Sequence, residues 1–259
     1  MVINRKAASL WRWARNTMHF YGLLLEPGRK EAPAAGRPPV VLIHSWGSTR
    51  GSMNILSSRL ASDGFAIAIA DLGGLAGLFN TNGIEKSAER LAEQIEPLAA
   101  ASPHGRVALV GHSIGGVIGR WLIAALGGSR YVHTLVTLGS PHRGTPAASS
   151  AMTTPGRWVS QGLRDIAPHS GVIMRLNSLP IPQDVYVSAI FSRSDNYCPR
   201  PCAELDIPGD TMHLRNIDAG DYGHVELVVD PAVYAIVRQE LTAGLTRAED
   251  IYLRRTVDS

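Results

Sequence analysis

Residues 107–116 read Val-Ala-Leu-Val-Gly-His-Ser-Ile-Gly-Gly, so an apolar run breaks into Gly-x-Ser-x-Gly and then into a helical pattern. A strand, a serine and a helix packed into ten residues force a very sharp turn with strained dihedrals at Ser113. Side chains two positions before and after the serine would clash, and Gly111 and Gly115 leave the room. Ser113 then stands at the carboxyl end of a sheet, open to substrate, with the N-terminal N–H groups of the following helix favouring negative charge beside it. In a chain with 26 glycines the five-residue pattern alone recurs by chance, and the strand and helix on its flanks make it specific.

The flanks belong to a longer rhythm. Val40-Val41-Leu42-Ile43 is continuously apolar, as suits a strand buried on both faces of a parallel sheet. The pattern returns at 65–70, 107–110, 131–138 and 185–190, and more weakly at 213–217. Between these runs lie helical patterns at 52–62, 84–101, 117–126 and 231–241. The clearest sets Ala88, Leu91, Ile95 and Leu98 on one face. Pro231 in the first turn follows Asp230 as N-cap, and Gly127-Gly128 ends the third helix. Strand alternating with helix predicts an α/β fold with a mostly parallel sheet of about six strands flanked by helices. Residues 146–184 break the rhythm with Pro146, Pro155, Pro168, Pro180 and Pro182, and read as a short cap inserted over the sheet. The expected organisation is an N-terminal segment 1–39, the main domain 40–241 and a C-terminal tail 242–259.

The 259 residues, 45% hydrophobic and 18% charged, suffice for one large buried core and exclude a disordered chain or a coiled coil. No apolar run approaches the 18 residues of a membrane span. Net charge is +3, and no Arg/Lys block with interleaved aromatics points to nucleic acid. The basic bias sits in residues 1–30, where Arg5, Lys6, Arg12, Arg15, Arg29 and Lys30 surround Trp11, Trp13, Phe20 and Tyr21. This segment reads either as a helix packing its tryptophans on the domain or as an amphipathic contact with a membrane or lipid surface. Arg12 and Arg15 interrupt any signal-peptide core, so the expected location is the cytoplasm, with a peripheral place at a membrane surface as the alternative. Cys198 and Cys202 in Cys-Pro-Arg-Pro-Cys make a poor zinc site without a histidine pair, and fit a local disulfide or two free thiols equally well.

A serine hydroxyl needs a base, and the base needs an orienting acid. His224 lies in a loop just before the last helix, where a base belongs. His213 reads as a strand residue, while His104, His133, His142 and His169 fall in turns or strand starts. Asp195 is on the loop leaving the 185–190 strand, and its rivals are Asp206, Asp210, Asp218 and Asp221. One oxyanion donor is the N–H of Ile114, directly after the nucleophile. A second belongs to the loop His44-Ser45-Trp46-Gly47-Ser48.

Val-Leu-Ile-His-Ser-Trp-Gly, Gly-His-Ser-Ile-Gly-Gly, the segment from Thr137 to Pro146 (Thr-Leu-Gly-Ser-Pro-His-Arg-Gly-Thr-Pro), and the loops carrying Asp195 and His224 together resemble the α/β-hydrolase superfamily of bacterial lipases and esterases. The resemblance runs from about Val40 to Leu241. It implies a triad in the chain order Ser113, Asp195, His224, and it assigns the second oxyanion donor to the N–H of Trp46, with His44 structural. The family has glycine where this chain has Ser45, and the Trp46 indole is alternatively a wall of the acyl pocket. The implied activity is carboxylic ester hydrolysis on a small acyl ester or lipid through an acyl-enzyme, without cofactor or metal. An acyltransferase, a thioesterase and a binding protein of the same fold are the alternatives.

Overall fold

The computed structural model describes residues 38–76, 80–151, 160–209 and 211–257. The N-terminal basic segment, Asp210 and the middle of the cap lie outside the described residues.

Each apolar run forms a strand: β1 Val40–Ile43, β2 Ile67–Ile69, β3 Val107–His112, β4 Val132–Leu138, β5 Tyr186–Phe191 and β6 Leu214–Asp218. They pair in the order β2-β1-β3-β4-β5-β6 and every pair is parallel. Successive residues face opposite layers, which explains the unbroken apolar runs. Val41, Ile43, Val107 and Leu109 pack on one side against α2 (Ile84–Ala100), α3 (Ile114–Ala125) and the cap. Val40, Leu42, Ala108 and Val110 pack on the other against α1 (Asn54–Ser62), α8 (Glu226–Val229) and α9 (Pro231–Val257). The cap holds α4 (Pro146–Ala151), α5 (Gln161–Asp165) and α6 (Gly171–Ser178), and α7 (Arg200–Ala203) follows β5. No helix among the described residues is long and apolar enough to cross a membrane.

Two helix limits differ by more than two residues from the sequence reading. The third helix begins at Ile114 rather than 117, because the turn at Ser113 feeds it directly. The last helix does not stop at 241 but runs to Val257, absorbing all but the end of the expected tail. Its apolar spacing continues through Leu245 and Ala248, although Thr242 and Gly244 are weak helix formers. Gly244 nonetheless keeps the helix on β4, where a Cβ would collide with the side chain of Thr134.

Strand order matters more for function than strand count. The chain runs from β1 outward to β2, then crosses back to β3 on the other side of β1. The carboxyl ends of β1 and β3 flank that reversal, where open α/β sheets form their binding crevice. The loops after these two strands carry Trp46 and Ser113.

Five histidines are buried among the described residues: His44, His112, His133, His142 and, at the margin, His213. Burial, the largest effect on each, lowers His44 to about 4 and His133 to about 3, and takes His112 and His142 well below their ordinary 6.5. The unfolded chain therefore binds protons that the folded chain refuses. Stability is full above pH 6.5 and falls as the pH drops through the window down to 3–4. At pH 5 the loss amounts to about 2 kcal/mol for each of His44 and His133. Urea midpoints measured at pH 7.5 and pH 5.0 are expected to drop accordingly, and a flat profile would contradict it.

Candidate active site

Ser113 is the hinge between β3 and α3, with φ 55° and ψ −126°. Such a dihedral pair in a non-glycine residue is strained and persists only where the surroundings dictate it. Here they do. The Ser113 N–H donates to Leu138 O at 2.8 Å, and the Gly116 N–H donates to Ser113 O at 3.1 Å. A Cβ on Gly111 would strike the Gly116 backbone, and one on Gly115 would strike the carbonyl of Ile43 at the end of β1. The flanking glycines thus serve different contacts, one within the turn and one between neighbouring segments. Ile114 is the first residue of α3, so its N–H has no acceptor within the helix.

Asp195 and His224 meet across two loops. Asp195 follows β5 and its side chain is fully buried. His224 precedes α8, and its Nδ1 lies 2.7 Å from Asp195 Oδ2. The other oxygen, Oδ1, accepts the backbone N–H groups of Tyr197 and Cys198, each at 2.9 Å. Ser192 joins the two loops, its Oγ donating to Tyr222 O at 2.6 Å and accepting the Tyr222 N–H at 2.8 Å. The rival acids are spent elsewhere: Asp218 and Asp221 pair with Arg193 at 3.5 and 3.3 Å, and Asp206 stands exposed near Arg143.

The rival histidines fail on position. His104, His133 and His213 lie at the amino ends of β3, β4 and β6, the edge of a parallel sheet opposite Ser113. His142 is buried against Thr137 Oγ1 at 3.0 Å, and His169 is exposed on the cap.

The loop after β1 closes the other side. His44 is buried, with Nδ1 3.2 Å from Ser48 Oγ. Asn80 brackets the loop by accepting the Gly47 N–H at 2.8 Å and donating its own N–H to Ser48 O at 3.2 Å. Ser45 needs no left-handed backbone, since Gly47 takes that conformation at φ 61°. Serine is therefore accommodated where the resembled family has glycine. A cavity of about 350 Å³ opens between these parts, with Ser113, His224, Trp46 and Tyr197 on one side and Leu163 and Ile166 of the cap on the other.

Two side chains, His112 and Ser160, escaped the sequence reading of the site. His112 stacks 4.6 Å from His224 between ring centroids and donates its Nε2–H to His224 O at 3.1 Å. Burial first, then proximity to His224, keeps it neutral, so it props the base without repelling a positive charge there. Gly139 (φ 54°) backs the acid and base, where a Cβ would come within 2.8 Å of Asp195 Oδ2 and 3.2 Å of His224 Nδ1. Ser160, buried at the start of α5, accepts the Trp46 indole N–H. Cys198 and Cys202 are free thiols, and burial pushes Cys198 well above the ordinary thiol range, which makes it a poor nucleophile.

A parallel sheet crossed by a strained serine turn, with a histidine and a buried carboxylate bonded beside it, defines an α/β-hydrolase-fold protein of the lipase and esterase type. Residues 39–185 match the family model of the palmitoyl protein thioesterases, and the chain belongs to that family. A triacylglycerol lipase of Burkholderia plantarii is 30% identical over 158 residues, which are 56% of this chain and 43% of the lipase. A triacylglycerol lipase of Pseudarthrobacter phenanthrenivorans is 32% identical over 121 residues, 44% of this chain and 36% of that one. The matched part therefore spans less than half the length of these curated relatives. The Bacillus licheniformis lipase BlEst2 in mature form superposes with a TM-score of 0.65 at 16% identity, covering 83% of this chain and 98% of that one.

Proposed function

We propose that this protein is a serine hydrolase of carboxylic acyl esters that works through an acyl-enzyme. The observation that carries the reading is the 2.7 Å contact of His224 Nδ1 with a buried carboxylate, beside a serine in a strained turn. With Asp195 accepting the Nδ1 proton, His224 presents Nε2 as a base. Ser113 Oγ attacks the ester carbonyl while Nε2 takes its proton. Asp195 fixes the tautomer and stabilises the imidazolium. The N–H groups of Ile114 and Trp46 hold the oxyanion, each contributing about 3–4 kcal/mol to the transition state. The protonated imidazole then gives its proton to the departing alcohol, and water activated by the same base releases the acid.

The family match favours one second reading, a thioesterase using the same groups. The apolar wall of Leu163 and Ile166 accepts an acyl chain in either case. A series of p-nitrophenyl esters from acetate to palmitate, run beside acyl-CoA thioesters of equal chain length, separates the two. We expect ester kcat/KM to exceed thioester kcat/KM at every length. The reverse order would assign the thioesterase. Failure to turn over either series or to react with a fluorophosphonate would mark a binding protein.

A further inference from the structure

Among the described residues, the loop after β1 and the cap are joined by a hydrogen bond between residues 114 positions apart: the Trp46 indole N–H donates to Ser160 Oγ at 2.5 Å. The tryptophan is 38% exposed, so packing alone does not hold its ring, whereas Ser160 is 1% exposed. Ser160 Oγ also accepts the Leu163 N–H at 3.3 Å, as the N-cap of α5, and donates to Thr81 O at 3.4 Å. Its two lone pairs and its proton are thus all engaged. The helix behind it is seated at two more points. Asp165 Oδ2 accepts the Ile84 N–H at 2.8 Å, where α2 begins. Gly162 lies so close that a Cβ would come within 2.7 Å of Asn82 O and 3.1 Å of Ile114 Cδ1. Trp46 is therefore tied to a segment fixed against the first residues of α2 and α3.

We propose that Ser160 is a positioning residue for catalysis: by holding the Trp46 side chain it fixes the peptide whose N–H faces the oxyanion. This rests on the ester-hydrolase reading above. A donor must keep its geometry to within about 0.5 Å to stabilise a transition state. Trp46 precedes the left-handed Gly47, a joint at which the peptide turns easily. The indole bond removes that freedom and couples the oxyanion donor to the cap helix that supplies Leu163 and Ile166 to the cavity.

The test uses the full chain with p-nitrophenyl butyrate. Trp46→Phe keeps an aromatic ring, though a smaller one, and removes the donor, and Ser160→Ala removes the acceptor. Each is expected to lower kcat about 10- to 100-fold with KM changed less than about twofold, and to raise the inhibition constant of phenylboronic acid in step. The double variant is expected to lose no more than the worse single one, as for two ends of one interaction. Because Ser160→Ala also removes the α5 cap, Trp46→Phe, which leaves that cap bond in place, decides the matter if Ser160→Ala does not fold. Wild-type kcat in Trp46→Phe, or additive losses in the double variant, overturns the proposal. If wild type hydrolyses the ester, Ser113→Ala does not, and Trp46→Phe equals wild type, the positioning role alone falls. A wild-type protein inert to ester and fluorophosphonate takes the hydrolase reading down with it.

Discussion

Ser113→Ala is expected to lower kcat on p-nitrophenyl esters by about a million-fold, to a residue of activity supplied by binding and oxyanion donors alone. The reason is that, of the described hydroxyls lining the cavity, Ser113 is the one held in the strained turn, whereas Ser48 Oγ donates to Ser45 O and Thr145 Oγ1 to Tyr197 O. Cys198, the thiol lining the same cavity, is held protonated by burial. The fold should not notice the change. The Ser113 side chain makes no cap hydrogen bond to α3, and the strained backbone is held by the Ser113 and Gly116 N–H groups, which alanine preserves. We expect a melting temperature within a few degrees of wild type, together with loss of fluorophosphonate labelling. Retained turnover in a folded Ser113→Ala protein would remove the serine from the mechanism.

Asp195→Asn is expected to cost about 10⁴-fold in kcat, and the structure gives the route. The Tyr197 and Cys198 N–H groups both point at Oδ1 and require an acceptor there. An asparagine satisfies them only by placing its amide oxygen at that position. Its NH₂ then faces His224 Nδ1, 2.7 Å away in the wild-type geometry. Nδ1 must accept, the ring proton moves to Nε2, and the base can no longer take the serine proton. The same substitution at Asp218 or Asp221 changes an exposed ion pair with Arg193 and is expected to leave kcat within twofold, since such pairs contribute little. Measuring kcat for the three variants under one set of conditions checks this. An Asp195→Asn protein as active as wild type would show that another carboxylate orients the base.

Much of the fold was legible because a strand covered on both faces must be apolar throughout, as 40–43 and 107–110 are. The positions of Ser113, Asp195 and His224 were legible because each follows or precedes a recognisable element. Helix ends were less so. The apolar spacing of α9 in fact continues past Leu241 at Leu245 and Ala248, and Gly244 lets that length lie against Thr134 on a strand more than a hundred residues earlier. His112 was hidden for a similar reason, since an interior strand residue gains a neighbour such as His224 only when the loop before α8 folds back over β3.

Local rules thus determined the elements, the serine turn and the residue types able to do acyl chemistry, because periodicity and glycine sterics act within a few residues. Tertiary structure alone decided how closely Asp195 and His224 approach, which histidines stay neutral, and that Trp46 is tied to Ser160. Those outcomes depend on desolvation and on hydrogen bonds a few ångströms long between loops set side by side by strand order, and sequence spacing carries no measure of either.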